Sequence, residues 1–307
     1  MKKTVLILTD GKAGHENQSK AFARSLGCGF ELVRVAFRSR FHKALSYVFD
    51  RLGICAEWLF RIEGECRTDE AAVIAGTGSG TIYAVKTLAR KSGLPSAAVL
   101  YPRGYRISDF DCVMAPVFDS PERFANVVVI PANLVAADEE FYGKGVEEFS
   151  KRHSQRASAV AVIVGGPNRV STMTAQWMKA ELEKVFAANA CAEFWVTTSR
   201  RTPPEVEAVV DSFPFDYKLI YSRDKFNPIP AFVKLARRLY VTAESTGMLS
   251  EACTSGSAEV FALDNLAPGG HKFRRFLDSL AGGGYVGGNR KIDLSAEFAK
   301  AKALRGL

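Results

Sequence analysis

Short apolar runs alternate with amphipathic stretches along most of this chain. Residues 5–8, 32–37, 71–75, 97–101, 112–115 and 127–130 are compact, largely β-branched or alanine-rich runs that predict strands. Helical spacing of apolar positions predicts helices from about residue 16 to 26 and from residue 81 to about 91. Residues 138–158 break this rhythm. They are polar and charged, contain Gly143 and Gly145, and predict the interdomain region. The scheme then restarts with strands at 159–164, 194–198, 219–221, 238–242 and 260–263. Helices are predicted at about 172–188, 203–210, 246–254 and 272–280. Residues 282–288 predict a flexible loop, and Ser295 caps a last helix over 295–304. Strands alternating with helices predict parallel βαβ units, so the fold class is α/β with two Rossmann-like domains, 1–145 and 146–307. Each half opens with a strand, a Gly-rich turn and a helix, without repeating at the residue level.

Composition supports two ordinary globular cores. The chain has 307 residues, of which 47% are hydrophobic and 24% charged. The formal net charge of +8 favours anionic partners. The surplus is concentrated early, where residues 1–62 carry eleven Lys or Arg against five Asp or Glu. No nucleic-acid recognition motif accompanies the charge, so nucleic acid is not expected as a partner. The six cysteines form no CxxC pair and no zinc spacing, which reads as reduced thiols in a cytoplasmic protein. The apolar run after Lys2-Lys3 ends at Asp10-Gly11 without a small-residue cleavage site, so a signal peptide is not expected. No stretch reaches the ~18–20 apolar residues that span a bilayer.

The candidate chemistry lies at strand-to-helix turns. Asp10-Gly11-Lys12-Ala13-Gly14-His15-Glu16-Asn17 follows the first strand, where backbone N–H groups at a helix start favour an anion. It has neither Walker A nor G-x-G-x-x-G spacing. An ordinary tight turn explains it equally well. His15 at the mouth of this turn is a candidate general base, with Asp10 and Glu16 as substitutes, although a helix cap or a phosphate contact would also suit it. Gly76-Thr77-Gly78-Ser79-Gly80 is a second candidate anion nest, or a turn whose glycines permit close packing. Gly165-Gly166-Pro167-Asn168-Arg169 opens the second half in the same manner, and Thr197-Thr198-Ser199-Arg200-Arg201 ends the next strand. Arg169 and Arg200 suit charge-assisted phosphate contacts, or are plain surface cations. Ser245-Thr246-Gly247-Met248-Leu249-Ser250-Glu251 starts a helix whose N-terminus is directed to the same strand ends, with Glu251 a candidate acceptor for vicinal ribose hydroxyls.

Residues 37–64 have another character. Phe37, Phe41, Leu45, Val48, Phe49, Leu52, Trp58, Leu59 and Phe60 are interleaved with Arg38, Arg40, His42, Lys43, Arg51 and Arg61. Such a basic amphipathic stretch fits an anionic membrane surface, and fits equally a core-packed helix with a basic outer face.

The segments Thr9–Gln18, Gly165-Gly166-Pro167-Asn168 and Ser245 through Ala252 together resemble the plant mitochondrial-fission "elongated mitochondria" family, whose bacterial relatives are described as glycosyltransferases. The resemblance runs from Thr4 to about Leu280. More distantly, the layout resembles the GT-B architecture of the lipid-linked peptidoglycan glycosyltransferase that adds N-acetylglucosamine. That resemblance implies two domains facing a central cleft, with the C-terminal helix returning to the N-terminal domain. It implies an acceptor site in the N-terminal half, where Gly14-His15 match a Gly-Gly-His turn, and a donor site in the C-terminal half, where Ser250-Glu251 match a ribose-holding Ser-Glu pair. With the turns read above, the acceptor side takes in Gly11, Lys12, Gly14, Asn17, Gly76, Gly78 and Ser79, and the donor side Gly165, Gly166, Asn168, Arg169, Ser199, Arg200, Ser245, Met248, Ser250 and Glu251. The chain departs from that enzyme's pattern in its N-terminal turn, Gly-Lys-Ala-Gly-His, and in having Asp264-Asn265-Leu266 where a Gln-rich motif follows the ribose-binding Glu.

The expected function is therefore a GT-B glycosyltransferase with a nucleotide-diphosphate sugar as substrate and neither metal nor other cofactor. A membrane-associated glycolipid or polysaccharide suits as acceptor. A nucleotide-sugar epimerase and a non-catalytic membrane adaptor with a degenerate nucleotide site are the alternatives. The expected location is the cytoplasm, at the inner face of a membrane.

Overall fold

A computed structural model describes residues 4–304; residues 1–3, part of the stretch weighed as a signal sequence, lie outside them. The chain divides into two compact units. Unit 1 comprises Met1–Ala136 with Asp293–Leu307, and unit 2 comprises Ala137–Ile292.

Unit 1 contains a seven-stranded sheet: β1 (Thr4–Thr9), β2 (Gly29–Phe37), β3 (Phe60–Glu63), β4 (Ala71–Thr77), β5 (Ser96–Val99), β6 (Cys112–Pro116) and β7 (Val127–Ile130). Their order is β3-β2-β1-β4-β5-β6-β7. All pairs are parallel except β2–β3. β1 is buried on both faces, and its alternate residues feed two separate cores. Leu6 and Leu8 pack with Ile74 and with Tyr83 and Val85 of α3 (Ile82–Ser92). Val5 and Ile7 pack with Val73 and with Phe22 of α1 (Ala13–Ser25). The second core also takes in Phe298 of the last helix, whose ring lies 6.3 Å from that of Phe22. The C-terminal helix therefore returns to the first unit. α2 (Arg40–Arg51) lies within the basic stretch. The antiparallel edge strand β3 is not among the strands the pattern predicts; its alternating Arg61 and Glu63 are the charges that protect an exposed edge, and they mask its strand character.

Unit 2 begins with α4 (Glu139–Ser150), inside the segment expected to be an interdomain linker. Asp138 accepts from Phe141 N at 2.9 Å and caps it. Only Tyr142 and Phe149 of this helix are buried, so its apolar stripe is too narrow to show through the polar composition. Gly145 has a packing reason: a Cβ there would lie 2.5 Å from Pro230. The sheet follows as β8 (Ala159–Ile163), α5 (Ala175–Ala187), β9 (Glu193–Thr197), α6 (Pro204–Ser212), β10 (Tyr217–Leu219), α7 (Ile229–Leu235), β11 (Arg238–Thr242), α8 (Thr246–Thr254), β12 (Glu259–Leu263) and α9 (Lys272–Gly282). Its order is β10-β9-β8-β11-β12, all parallel. α7 is not predicted by the pattern, and β10 lies two residues before its expected position.

The last helix, α10 (Ser295–Ala303), is not capped by Ser295 as expected. Asp293 does that work, accepting from Ser295 N at 2.9 Å and Ser295 Oγ at 2.5 Å. In both sheets the first strand is central and later strands are added on either side of it. Each sheet therefore has a switch point, β1/β4 in unit 1 and β8/β11 in unit 2, where ligands bind open α/β sheets beyond the carboxyl ends of the strands.

Candidate functional site

At the β1/β4 switch point, Asp10 leaves the end of β1 and meets His15 in the first turn of α1. His15 Nδ1 lies 3.0 Å from Asp10 Oδ1 and 3.1 Å from Oδ2. Lys12 Nζ donates to Oδ2 of the same carboxylate at 2.8 Å. Burial pushes the Asp10 carboxyl up, but the hydrogen bonds from Lys12 and His15 and the His15 charge outweigh it, holding the group below its ordinary value. An ionised Asp10 orients the ring by accepting from Nδ1–H, and in the neutral form of the imidazole Nε2 then keeps its lone pair, the arrangement of an oriented general base. The His15 side chain remains 29% exposed.

The imidazole reaches this place because the turn after β4 is built of glycine. A Cβ on Gly78 would lie 2.3 Å from His15 Cε1, and Gly78 has φ +86. Gly80 passes close to Asp10, where a Cβ would be 3.1 Å from its side chain. Gly76 serves packing, since a Cβ there would meet Thr81 and Val85 at 2.8 Å. Ser79 Oγ accepts from Lys43 Nζ of α2 at 2.8 Å. Gly11 has φ +78 and donates its N–H to Thr9 Oγ1. Gly14 and Asn17 are exposed, and a Cβ on Gly14 would meet nothing within 4 Å. Glu16 accepts from Thr9 Oγ1 of β1 at 2.9 Å and pairs with Lys20 of its own helix at 3.4 Å.

At the β8/β11 switch point the expectation for the Gly165 turn needs correction. Its N–H groups are already used by the protein. Gly165 N donates to Thr242 Oγ1 and Gly166 N to Glu244 Oε1, each at 2.8 Å. Glu244 is 2% exposed, and its Oε2 accepts from Asn265 Nδ2 at 2.8 Å. Thr202 Oγ1 donates to Gly165 O at 2.5 Å, and a Cβ on Gly166 would collide with Arg201 O at 2.3 Å. The ends of β8, β9, β11 and β12 are thus knit around one internal carboxylate. The turn is closed from within by the Glu244 side chain.

The start of α8 is different. Ser245 occupies its N-cap with no side-chain cap bond. Gly247 is exposed, and a Cβ there would meet nothing within 4 Å. The N–H groups of Thr246, Gly247 and Met248 therefore have no acceptor within the helix. Asn265 Oδ1 at the end of β12 is buried without a hydrogen-bond partner. Further along α8, Ser250 is buried and its Oγ donates back to Thr246 O at 2.6 Å. Glu251 Oε1 accepts from Tyr142 Oη of α4 at 3.2 Å. Burial pushes the Glu251 carboxyl above its ordinary value, against the opposing bond from Tyr142. Arg169 and Arg200 are exposed on their turns. Asn168 Oδ1 accepts from Val170 N and Ser199 Oγ meets Thr202 Oγ1, so both shape their loops.

The family model for mitochondrial fission ELM1 matches residues 13–297. The chain belongs to the mitochondrial fission ELM1 family. An uncharacterized protein of Rickettsia prowazekii, RP120, is 29% identical to this ELM1-family chain over 116 residues. That match covers 36% of the chain and 32% of RP120, so it spans about a third of the relative's length. A Listeria monocytogenes structure assigned as a UDP-N-acetylglucosamine 2-epimerase superposes with a TM-score of 0.54 at 10% identity, covering 99% of this chain and 96% of that one. Acinetobacter baumannii MurG gives 0.49 at 14% identity, covering 99% and 90%. The fold of the ELM1-family chain is thus similar to that of the Listeria structure.

Two residue roles in the ELM1-family site are not legible in the sequence. Glu244 has no assigned role there, because nothing in one sequence marks a carboxylate as buried. The pairing of Asp10 with His15 also escapes, since their spacing crosses a strand–helix boundary. The run of three glycines at Gly76, Gly78 and Gly80 is the available signal that backbone is approached closely there. Among the described residues, no group of three or more His, Cys, Asp or Glu side chains is arranged to hold a metal ion.

Proposed function

We propose that this chain is a metal-independent glycosyltransferase that uses a nucleotide-diphosphate sugar. The observation that carries the reading is the His15–Asp10 pair at the unit 1 switch point. An acceptor hydroxyl attacks the anomeric carbon of the donor, the bond from that carbon to the diphosphate oxygen breaks, and the hydroxyl proton passes to His15 Nε2. Unit 1 serves as the acceptor side. Unit 2 serves as the donor side, with the diphosphate at the uncapped start of α8, where N–H groups and the helix dipole stabilise the leaving charge. Glu251, through the oxygen not bonded to Tyr142, is the ribose acceptor. The likeness to a fold assigned as a UDP-N-acetylglucosamine 2-epimerase favours epimerisation as the second reading.

Isothermal titration with nucleoside diphosphates tests the donor side. Gly247→Asp puts a carboxylate where the diphosphate is placed, in open space. An acidic residue in a first helical turn is neutral or stabilising for the helix. The expected result is an unchanged or higher Tm with affinity reduced at least about tenfold. Wild-type protein that binds no nucleoside diphosphate overturns the reading. Turnover is expected to survive EDTA, and product formation without any acceptor assigns the chain to epimerisation.

A further inference from the structure

Helix α2 packs Leu45, Tyr47 and Phe49 against the unit 1 core beside its buried Ser46 and Asp50, and leaves a second apolar side in water. Its two buried residues are Ser46 and Asp50, at 0% and 3% exposure, whereas Phe41 is 71%, Val48 52% and Leu52 67% exposed. Phe41, Val48 and Leu52 lie at i, i+7 and i+11 and form one stripe. The inward side is fastened by polar contacts. Ser46 Oγ meets Tyr105 Oη at 3.0 Å, and Asp50 accepts from Lys86 Nζ and, at 2.7 Å, from Arg106 N. Trp58, 53% exposed, extends the patch, with its ring edge-on to His42 at 5.8 Å. A helix on a sheet ordinarily buries its apolar face, and a contiguous exposed patch of aromatic and aliphatic side chains marks an interaction surface.

The charges around the stripe select the occupant. Arg40 and Arg51 flank it on the helix, and Arg38 lies at its foot, all exposed. Asp50 is the only acidic residue between positions 38 and 56, and it is buried against Lys86. A second copy of the chain would bring these arginines against their own counterparts. A bilayer carrying anionic headgroups instead meets both features, with aromatic and aliphatic side chains entering the acyl boundary and arginines reaching phosphates. We propose that α2 and the turn Glu57–Leu59 dock on the surface of an anionic phospholipid bilayer. This goes beyond the sugar-nucleotide reading, and each succeeds or fails without the other, because vesicle binding needs no nucleotide and nucleotide titration needs no vesicle.

The test is co-sedimentation of the full chain with vesicles of phosphatidylcholine alone or mixed with phosphatidylglycerol. Binding is expected only to the anionic vesicles. The double variants Phe41→Ser with Leu52→Ser, and Arg40→Glu with Arg51→Glu, should each weaken it at least about tenfold, the charge pair more steeply at low salt. All four side chains are exposed, so melting temperatures should match wild type. Brominated acyl chains should quench fluorescence in wild type more than in Trp58→Phe. Equal binding to both vesicle types, no binding, or binding unchanged in both double variants overturns the proposal. Concentration-dependent dimers abolished by Phe41→Ser with Leu52→Ser also overturn it and assign the stripe to a second copy.

Discussion

His15 owes its position to two neighbours of opposite kinds. Asp10 attracts it through Nδ1, and Gly78 makes room by having no side chain. The second is as consequential as the first. A methyl group on Gly78 would overlap the imidazole, and the φ of +86 strains any L side chain besides. Gly78→Ala should therefore displace the ring and cost on the order of 1–3 kcal/mol of stability. If His15 is the base, Gly78→Ala and His15→Ala should both lower kcat by about 10²–10⁴ while leaving the nucleotide affinity measured by titration unchanged. Unaltered kcat in His15→Ala would remove the base assignment. At the same scale the sequence is informative about residue type and silent about pairing. His15 can be singled out because it follows a strand and a glycine turn. Asp10 reads from sequence as a rival base, and its part as the group that orients the ring depends on a contact no spacing rule encodes.

Among elements, the Gly-rich turns have parted company. The β1 turn leaves His15 partly open to solvent, with Asp10 behind it. The β8 turn is closed internally by Glu244, Thr242 and Asn265. Glu244→Ala would strand Gly166 N–H and the Asn265 amide in a buried place, an effect of about 2–4 kcal/mol measurable by urea denaturation. Glu244→Gln should cost less, since its carbonyl oxygen can still accept from Gly166. Most strands and helices are legible because a buried parallel strand is a continuous apolar run and a turn is a cluster of glycines. The failures have physical reasons. α4 buries too few side chains to colour its composition, β3 carries edge charges, and α7 is short and begins at a proline. α2 admits two equal alternatives, and its spacing does not say which face is buried. The buried face combines Ser46 and Asp50 with Leu45 and Phe49, and the face left in water carries Phe41, Val48 and Leu52.

For the molecule as a whole, acid should reveal a second internal carboxylate. Glu193 accepts from Arg156 N at 2.6 Å, Ala157 N at 2.9 Å and Trp195 Nε1 at 2.7 Å, and it meets His153. Burial works against ionisation, but these bonds prevail and lower its carboxyl from 4.5 to about 2. A carboxyl whose folded value is depressed contributes stability above its unfolded value and loses it as pH falls toward the folded one. Its contribution, about 3 kcal/mol, should thus be complete above pH 4.5 and disappear between there and about 2. Glu193→Gln should flatten this part of the stability–pH curve in denaturant titrations. No helix among the described residues is long and apolar enough to cross a membrane, so any lipid contact made by these helices is made from the surface. The placement of α10 has a consequence for synthesis. Unit 2 is one continuous stretch, whereas the unit 1 core is completed by Phe298 and Ala301, which the ribosome adds after all of unit 2. The first unit to be translated is therefore the last whose core can close, and the groove that receives Phe298 stays open to chaperones until then.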